Sequence, residues 1–389
     1  MRDVLLNCGL GVNFGWGLLG LNIFAQWAHD PDIRPLMGAP ISAPDLNGLD
    51  PLRISRILPA ARVSNAALEG HQAASDAVED QIQIDGLGND FIAPLKRSSR
   101  LMVARAIFEN ADPATAAQRL SPYSHLLTAS NWTADWLKAA TGRDAKIIFE
   151  GIDPSLFCPG PRSGWMDPAK FYIFSGGKLE WRKAQDLTLL AFKRFAERHP
   201  DAVLVTAWRS PFVEGGRGFR GRLSRPATIG ADGQIDFMRW VGENGVDPRQ
   251  VIDLGLIPNV LLPGVLREMD VALQPSRAEA CTSLPVKEAM ACGLPVIAAL
   301  NSGMKDILSE EISIPLREQG ESGPQGAPPV EGWGESDLDE IDAALERVYQ
   351  DRAAAAAMGL RARDWLIANN RTWADHAAEL KAWLLSIDG

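Results

Sequence analysis

The chain is short of cysteine, of positive charge and of long linkers, and each shortage removes a class of protein. Its four cysteines, Cys8, Cys158, Cys281 and Cys292, show neither a disulfide pairing nor a metal-ligand spacing, and they read as reduced thiols in a cytosolic protein. With 39 Lys and Arg against 49 Asp and Glu, the formal charge of −10 argues against a general nucleic-acid binder. No internal repeat or long linker interrupts the sequence. At 389 residues the chain exceeds what one hydrophobic core usually organises, so two domains are expected.

One stretch lacks charge altogether, residues 4–28. Gly9, Gly11, Gly15, Gly17 and Gly20, with Asn7, Asn13 and Asn22, make poor lipid-facing content, and Arg2-Asp3 supplies almost no positive flank. The run reads as a first strand (4–8), a glycine loop and a helix over about 18–29 rather than as a signal or membrane segment. Within it, Gly15-Trp16-Gly17-Leu18-Leu19-Gly20 formally matches a dinucleotide fingerprint. It starts well after the strand, and no acidic residue follows a second strand about 20 positions on.

What is present is concentrated in residues 274–293. An apolar strand (271–273) runs into a polar turn holding Glu279, and Ser283 and Pro285 are placed as the N-cap and first-turn proline of a helix that carries Glu288. Free backbone N–H groups over 282–286, with Thr282, Ser283 and Leu284 foremost, would form an anion site, where helix dipole and unpaired donors both favour phosphate. A second stretch has the same logic. A buried strand (171–175) is followed by Gly176-Gly177-Lys178, by Lys183, and by an apolar-periodic helix from Asp186. Glycines there let backbone approach a ligand without Cβ atoms in the way. The third is Ala129-Ser130-Asn131-Trp132, then Ile147-Ile148-Phe149-Glu150-Gly151-Ile152-Asp153-Pro154 and Phe157-Cys158-Pro159.

On these residues the chain resembles the retaining glycosyltransferases of family 4 (group 1), whose GT-B architecture sets two doubly wound, Rossmann-like α/β domains across a cleft. The matches span about 126–308. They comprise the serine-arginine-x-glutamate turn at 276–279, the Glu-Ala-Met-Ala-Cys-Gly helix at 288–293, Pro295-Val296-Ile297, the glycine and cation loop, and the crossover between domains. Eight residues (280–287) separate Glu279 from Glu288 where the family usually has seven, and Lys178 stands for the usual arginine, keeping the charge but losing the bidentate fork.

The resemblance implies a first, acceptor-side domain over 1–155, a nucleotide-sugar-binding domain over 156–371, and a C-terminal helix (372–389) packing back on the first. It implies a UDP- or GDP-sugar donor with no further cofactor and no metal, and a glycan or lipid-linked acceptor. Further implications are no nucleic-acid partner, and a cytoplasmic protein in transient contact with the inner face of the membrane. Lys178 and Lys183, with Gly176, Gly177 and the amides of Thr282, Ser283 and Leu284, would hold the donor diphosphate. Glu288 would hold the ribose, Glu279 would meet the reacting sugar, and the loop of Gly15 and Gly17 would line the donor side. Retention in the family is attributed to front-face attack assisted by the leaving phosphate, without a carboxylate nucleophile. Related enzymes often place a histidine after an apolar strand of the first domain. Here the matching strand (101–108) ends in Glu109-Asn110, so Glu109 is expected to orient the acceptor hydroxyl or the donor sugar. His125, farther on, reads as structural. A glycoside hydrolase or phosphorylase on a similar scaffold, and a catalytically inactive sugar-nucleotide-binding scaffold, stay open. Singly, Glu288 also fits an ordinary first-turn carboxylate and Lys178 and Lys183 solvated cations; Trp16, Trp132 and Trp181 fit core as well as sugar stacking.

Elsewhere strands and helices alternate, which implies parallel sheets. Residues 209–233 and 314–336, rich in glycine, proline and charge, read as surface loops. The basic run at 215–222 reads as a solvated loop or a contact for an anionic acceptor. Amphipathic helices are expected over 338–348, 353–367 and 373–385.

Overall fold

The structure, a computed structural model, describes residues 1–71, 78–94, 98–323 and 330–388. Apolar runs such as Val4-Leu5-Leu6 and Val271-Ala272-Leu273 are too short for helices and are fully buried, the pattern of strands inside parallel sheets covered on both faces. The chain divides into two compact units. One comprises Met1–Asp153, Pro258–Val260 and Asn370–Gly389; the other comprises Pro154–Ile257 and Leu261–Asn369. The boundaries read from the sequence, at 155 and 371, lie close to these, whereas the assignment of Pro258–Val260 to the first unit has no sequence signal.

The first unit contains β1 (Arg2–Asn7), α1 (Gly15–Trp27), β2 (Ile33–Met37), α2 (Pro51–His71), β3 (Glu79–Leu87), β4 (Ser99–Ala106), α3 (Pro113–Leu120), β5 (His125–Thr128), α4 (Asn131–Thr141) and β6 (Ala145–Ile147). Its six strands pair in the order β2-β1-β3-β4-β5-β6, all parallel, so the order reverses between β1 and β3. Helix α1 starts at Gly15, earlier than the residue-18 start expected. The reason is a close approach: a Cβ on Gly17 would lie 2.9 Å from the backbone N and O of Gly11, and one on Gly20 would lie 2.1 Å from the carbonyl oxygen of Gly9. Among the described residues no helix is long and apolar enough to cross a membrane.

Strand β3 alternates polar and apolar residues, yet Gln81, Gln83 and Asp85 are buried like Ile82 and Ile84. Burial is tolerated because the polar atoms satisfy one another. Asp85 accepts from Asn7 (2.6 Å), Gln83 (2.8 Å) and Tyr123 (2.7 Å), and Gln83 accepts from Ser99 (2.8 Å). Burial, then the bond to Asp85, push the Tyr123 phenol upward.

The second unit contains β7 (Phe171–Gly176), α5 (Gln185–Arg198), β8 (Ala202–Ala207), α6 (Phe237–Glu243), β9 (Val251–Asp253), α7 (Leu262–Leu266), β10 (Val271–Gln274), α8 (Leu284–Ala291), β11 (Val296–Ala299), β12 (Ile314–Leu316), the hairpin β13 (Gln319–Gly320) and β14 (Glu335–Ser336), α9 (Leu338–Gln350) and α10 (Arg352–Ala368). Its parallel sheet runs β12-β11-β10-β7-β8-β9, reversing between β7 and β10.

Two loop expectations are corrected here. Residues 209–233 are not a plain surface loop, because Phe219, Leu223 and Ala227 enter the core beside Trp208 and Trp240. The stretch 314–336 supplies β12, whose Pro315 is tolerated on the last strand of the sheet, and the β13–β14 hairpin. Residues 324–329 of that stretch lie outside the described residues.

The last helix, α11 (Trp373–Ile387), belongs to the first unit. Leu380 and Leu384 are fully buried, and Trp27 donates to the carbonyl of Ala377 at 3.2 Å. His376 Nε2 lies 3.2 Å from both terminal nitrogens of Arg105, and its Nδ1 lies 2.8 Å from the carbonyl of Phe149. A guanidinium can only donate, so Nε2 accepts and Nδ1 carries the proton given to Phe149. His376→Ala removes that acceptor from a buried cation and is expected to cost about 1–3 kcal/mol. Hydrogen-exchange mass spectrometry should show protection falling across β1–β5 while β7–β12 are unaffected; equal loss in both sheets would contradict a role confined to the first unit.

Candidate active site

In a parallel α/β sheet, ligands bind beyond the carboxyl ends of the strands where the order reverses. In the second unit that point lies between β7 and β10, and both strand ends lead into residues expected in the site. Strand β7 ends in Gly176, where a Cβ would sit 3.1 Å from the Phe174 ring and 3.4 Å from Pro285 at the start of α8. Gly177 follows with φ +99, a conformation that favours glycine. Gln185 holds this loop by donating to the carbonyls of Gly177 (3.2 Å) and Lys178 (2.9 Å), and Gln274 at the end of β10 donates to Gly176 (3.1 Å).

The turn after β10 delivers Glu279. Its backbone N–H donates to Ser302 Oγ at 2.8 Å, and Gly303 N–H donates to its carbonyl at 3.0 Å. Its carboxylate accepts from Lys183 (2.6 and 2.8 Å), Arg182 (2.9 Å) and Ser276 (2.8 Å). Lys183 and Glu279 are both buried. Burial alone would raise the Glu279 carboxyl, but the charges of Lys183 and Arg182 and the bonds from Lys183 and Ser276 hold it below its ordinary value. Burial lowers Lys183, against the upward pull of Glu279. The structure thus brings together two of the expected site residues. The third, Lys178, is more exposed and pairs with Glu180 at 3.0 Å.

Helix α8 begins as expected at Ser283-Leu284-Pro285, but Ser283 makes no side-chain cap bond. It has φ +41, and the hydroxyls of both Thr282 and Ser283 are buried without a hydrogen-bond partner among the described residues. The backbone N–H groups of Thr282, Ser283 and Leu284 have no acceptor among the described residues. Buried polar groups normally find partners, so this start of α8 is chemically unfinished. Glu288 lies one turn into the helix and is buried. Among the described residues no group of three or more His, Cys, Asp or Glu could hold a metal ion.

The other expected residues belong to the first unit. Glu109 is half-buried in the loop after β4, and its N–H and that of Asn110 donate to Asn89 Oδ1 at 2.9 and 3.3 Å. Gly15 opens α1 with nothing within 4 Å of a Cβ position, while Gly17 serves the tight turn described above. His125 packs edge-on against Trp383, centroids 6.0 Å apart, in keeping with a structural role. Trp181 turns a ring face to the Arg277 guanidinium, 3.8 Å from its centroid.

Arg182, Ser276 and Ser302, all bonded to Glu279, were not among the expected site residues, although Ser276 opens the turn that the resemblance had marked. Arg182 had a usable signal, since it directly precedes Lys183 in the same polar turn; nothing local marks Ser302, which arrives from after β11.

A family model described as family 4 glycosyltransferase in conflict systems matches residues 262–380. The chain is 26% identical over 289 residues to a GDP-mannose-dependent alpha-(1-6)-phosphatidylinositol monomannoside mannosyltransferase of Mycolicibacterium smegmatis, covering 70% of this chain and 65% of that protein. It is 25% identical over 215 residues to the corresponding dimannoside mannosyltransferase of Mycobacterium tuberculosis, covering 51% of this chain and 49% of that one. Among solved structures, sucrose-phosphate synthase from Thermosynechococcus elongatus aligns over 100% of this chain and 99% of its own, with TM-score 0.69 and 16% identity. Anabaena HepE in complex with UDP aligns over 99% and 100%, with TM-score 0.64 and 12% identity. Two parallel six-stranded sheets with these neighbours define a GT-B glycosyltransferase fold. Over the stretches matched, the chain is similar to family 4 (group 1) glycosyltransferases, and it spans less than two thirds of the length of these mannosyltransferase relatives.

The depressed Glu279 pKa has a testable sign. Its stabilising effect is complete above the ordinary value of 4.5 and is lost as pH falls through the lowered one. Glu279→Gln cannot titrate, so the stability gap between wild type and variant at pH 7 should narrow on acidification below about 4.5. Urea midpoints at pH 7 and pH 4 measure this, and a constant gap would show that the carboxylate is not held by its cations.

Proposed function

We propose that this chain is a retaining glycosyltransferase that moves a hexosyl-type sugar, without a metal, from a nucleotide-diphosphate sugar to a glycan or lipid-linked acceptor. One observation carries the reading. Lys183 and Arg182 converge on Glu279 at the reversal point of the second sheet, where Gly176 packs close to Pro285 in the first turn of α8, and the amides and hydroxyls leading into that helix have no partner among the described residues.

Charge development explains why such a site suits this chemistry. Breaking the anomeric bond leaves an oxocarbenium-like sugar and a diphosphate that gains negative charge. Fixed cations and backbone donors aimed at that diphosphate act chiefly on the transition state. Lys183 with Arg182, Lys178 at the more exposed strand-end position, and the amides of Thr282, Ser283 and Leu284 take this role. Gly176 and Gly177 keep side chains out of the way. Glu279 meets the donor sugar, Glu288 holds the ribose, and Glu109 from the first unit orients the acceptor hydroxyl or the sugar. Gly15 and Gly17 belong to the loop on the donor side. A lipid-linked acceptor would bring the chain into transient contact with a membrane surface.

The mannosyltransferase relatives make GDP-mannose the first donor to test, with UDP-sugars beside it. Proton NMR of the product should show the donor's anomeric configuration retained and no dependence on added metal or loss with chelator. An inverted anomer would defeat the reading. Free sugar without an acceptor product, or turnover without a nucleotide, would point to a hydrolase or phosphorylase. Nucleotide binding with no transfer across a broad acceptor panel would favour a scaffold.

Variants separate the roles. Lys183→Ala removes a charge-assisted hydrogen bond worth about 1.5–3 kcal/mol, so nucleoside-diphosphate affinity should fall roughly ten- to a hundredfold. Glu279→Ala should depress turnover more than donor binding, Glu288→Ala the reverse, and Glu109→Gln should slow transfer with donor affinity intact. Calorimetric donor affinities set against single-turnover rates decide this, because KM alone does not report binding.

A further inference from the structure

Arg277 takes no part in the chemistry above and is wholly buried two residues before Glu279. Its guanidinium is nonetheless committed to one short segment. NH1 and NH2 donate to the two oxygens of Asp186 at 2.9 and 2.7 Å, NH1 also reaches the carbonyl of Trp181 at 2.9 Å, and the plane lies 3.8 Å from the centroid of the Trp181 ring. Its backbone N–H donates to the carbonyl of Arg182 at 2.6 Å. Trp181 opens the turn that carries Arg182 and Lys183, and Asp186 lies in the first turn of α5 that follows it. One side chain therefore ties both ends of segment 181–186 to the turn that ends in Glu279.

The tie is itself braced from two sides. Nε donates to Glu335 of β14 at 2.6 Å, and Glu335 also pairs with Arg222. Arg222 N–H donates to Asp186 at 2.8 Å, next to Gly221, where φ is +56 and a Cβ would collide with the Asp186 carboxylate. A planar, pre-organised fork holds two carboxylates and a carbonyl in fixed directions, as a lysine ammonium cannot.

A diphosphate offers two phosphoryl groups, and this site offers two places for them: the cation turn and the unfinished start of α8. Binding both at once gains over binding either only if their separation is fixed beforehand. We propose that Arg277 is a positioning residue that fixes this separation, clamping 181–186 to 276–279 so that the site prefers a nucleoside diphosphate to a monophosphate. This rests on the reading of Lys183 as a phosphate ligand.

The test titrates GDP, GMP, UDP and UMP into wild type, Arg277→Lys, Arg277→Met, Glu335→Gln and Lys183→Ala, and compares mono- and diphosphate dissociation constants for whichever base wild type binds. Arg277→Lys keeps the charge and loses the fork, and should lower the diphosphate preference roughly tenfold, about one well-placed hydrogen bond, while monophosphate affinity changes little. Glu335→Gln leaves the Asp186 fork in place and should lower the preference by less. Hydrogen exchange over 171–198 reports folding; should Arg277→Met unfold, the other two variants carry the result. If Arg277→Lys weakens both nucleotides equally, or neither, while Lys183→Ala loses the diphosphate, the positioning role is wrong and the phosphate reading stands. If wild type binds no nucleoside diphosphate, or Lys183→Ala binds like wild type, the phosphate reading falls and this inference with it.

Discussion

The second unit is organised around a carboxylate that is almost wholly withdrawn from water. Glu279 stays charged only because Lys183, Arg182 and Ser276 surround it, and Lys183 tolerates burial only because Glu279 is there. Removing Glu279 would leave Lys183 buried without its ion-pair partner, a far larger penalty than the loss of a surface ion pair. The neighbouring structure can be understood as what that pair needs. Strand ends deliver the two residues, Gln185 and Gln274 hold the loops beside them, and Ser302 and Gly303 support the turn from below.

That requirement also explains why a polar site can lie in so buried a place. Its cations and carboxylates are paired in the free chain, while the start of α8 is left with donors and no acceptor. An anion entering the proposed site would therefore meet a surface short of acceptors rather than a bare positive cavity. This suits an acidic chain, whose overall field would do little to attract a phosphate from afar.

The placement of the candidate site in the fold was legible because its residues stand at the ends of short apolar runs. Gly176, Lys183, Glu279 and Glu288 follow or open elements whose periodicity is plain, and β7 (Phe171–Gly176) was readable to within a residue. Partnership was not legible. That Lys183 would pair with Glu279 while Lys178 turned to Glu180 depends on the left-handed residue Ala184 and the short turn before it, which no period reveals. The two stretches read as loops misled for a definite reason. Glycine and charge mark solvent only on average, and in 209–233 they bracket Phe219, while in 314–336 they precede Glu335, the buried partner of Arg277. Sequence analysis placed the polar alternation of β3 nowhere, because alternation signals a wet face unless, as here, Asn7, Ser99 and Tyr123 come from other strands and loops to satisfy it.

The return of the last helix bears on how the molecule is made. Arg105 is translated early, and its histidine acceptor stands 271 residues later, beyond the whole second unit. At the usual elongation rate of about 5–20 residues per second, a first sheet leaving the ribosome waits roughly ten seconds to a minute for the helix that covers it. The unit begun first is thus the one completed last. During that interval the surfaces of β4 and α1 that later meet α11 are open, so newly made chains should depend on holding chaperones far more than mature ones do.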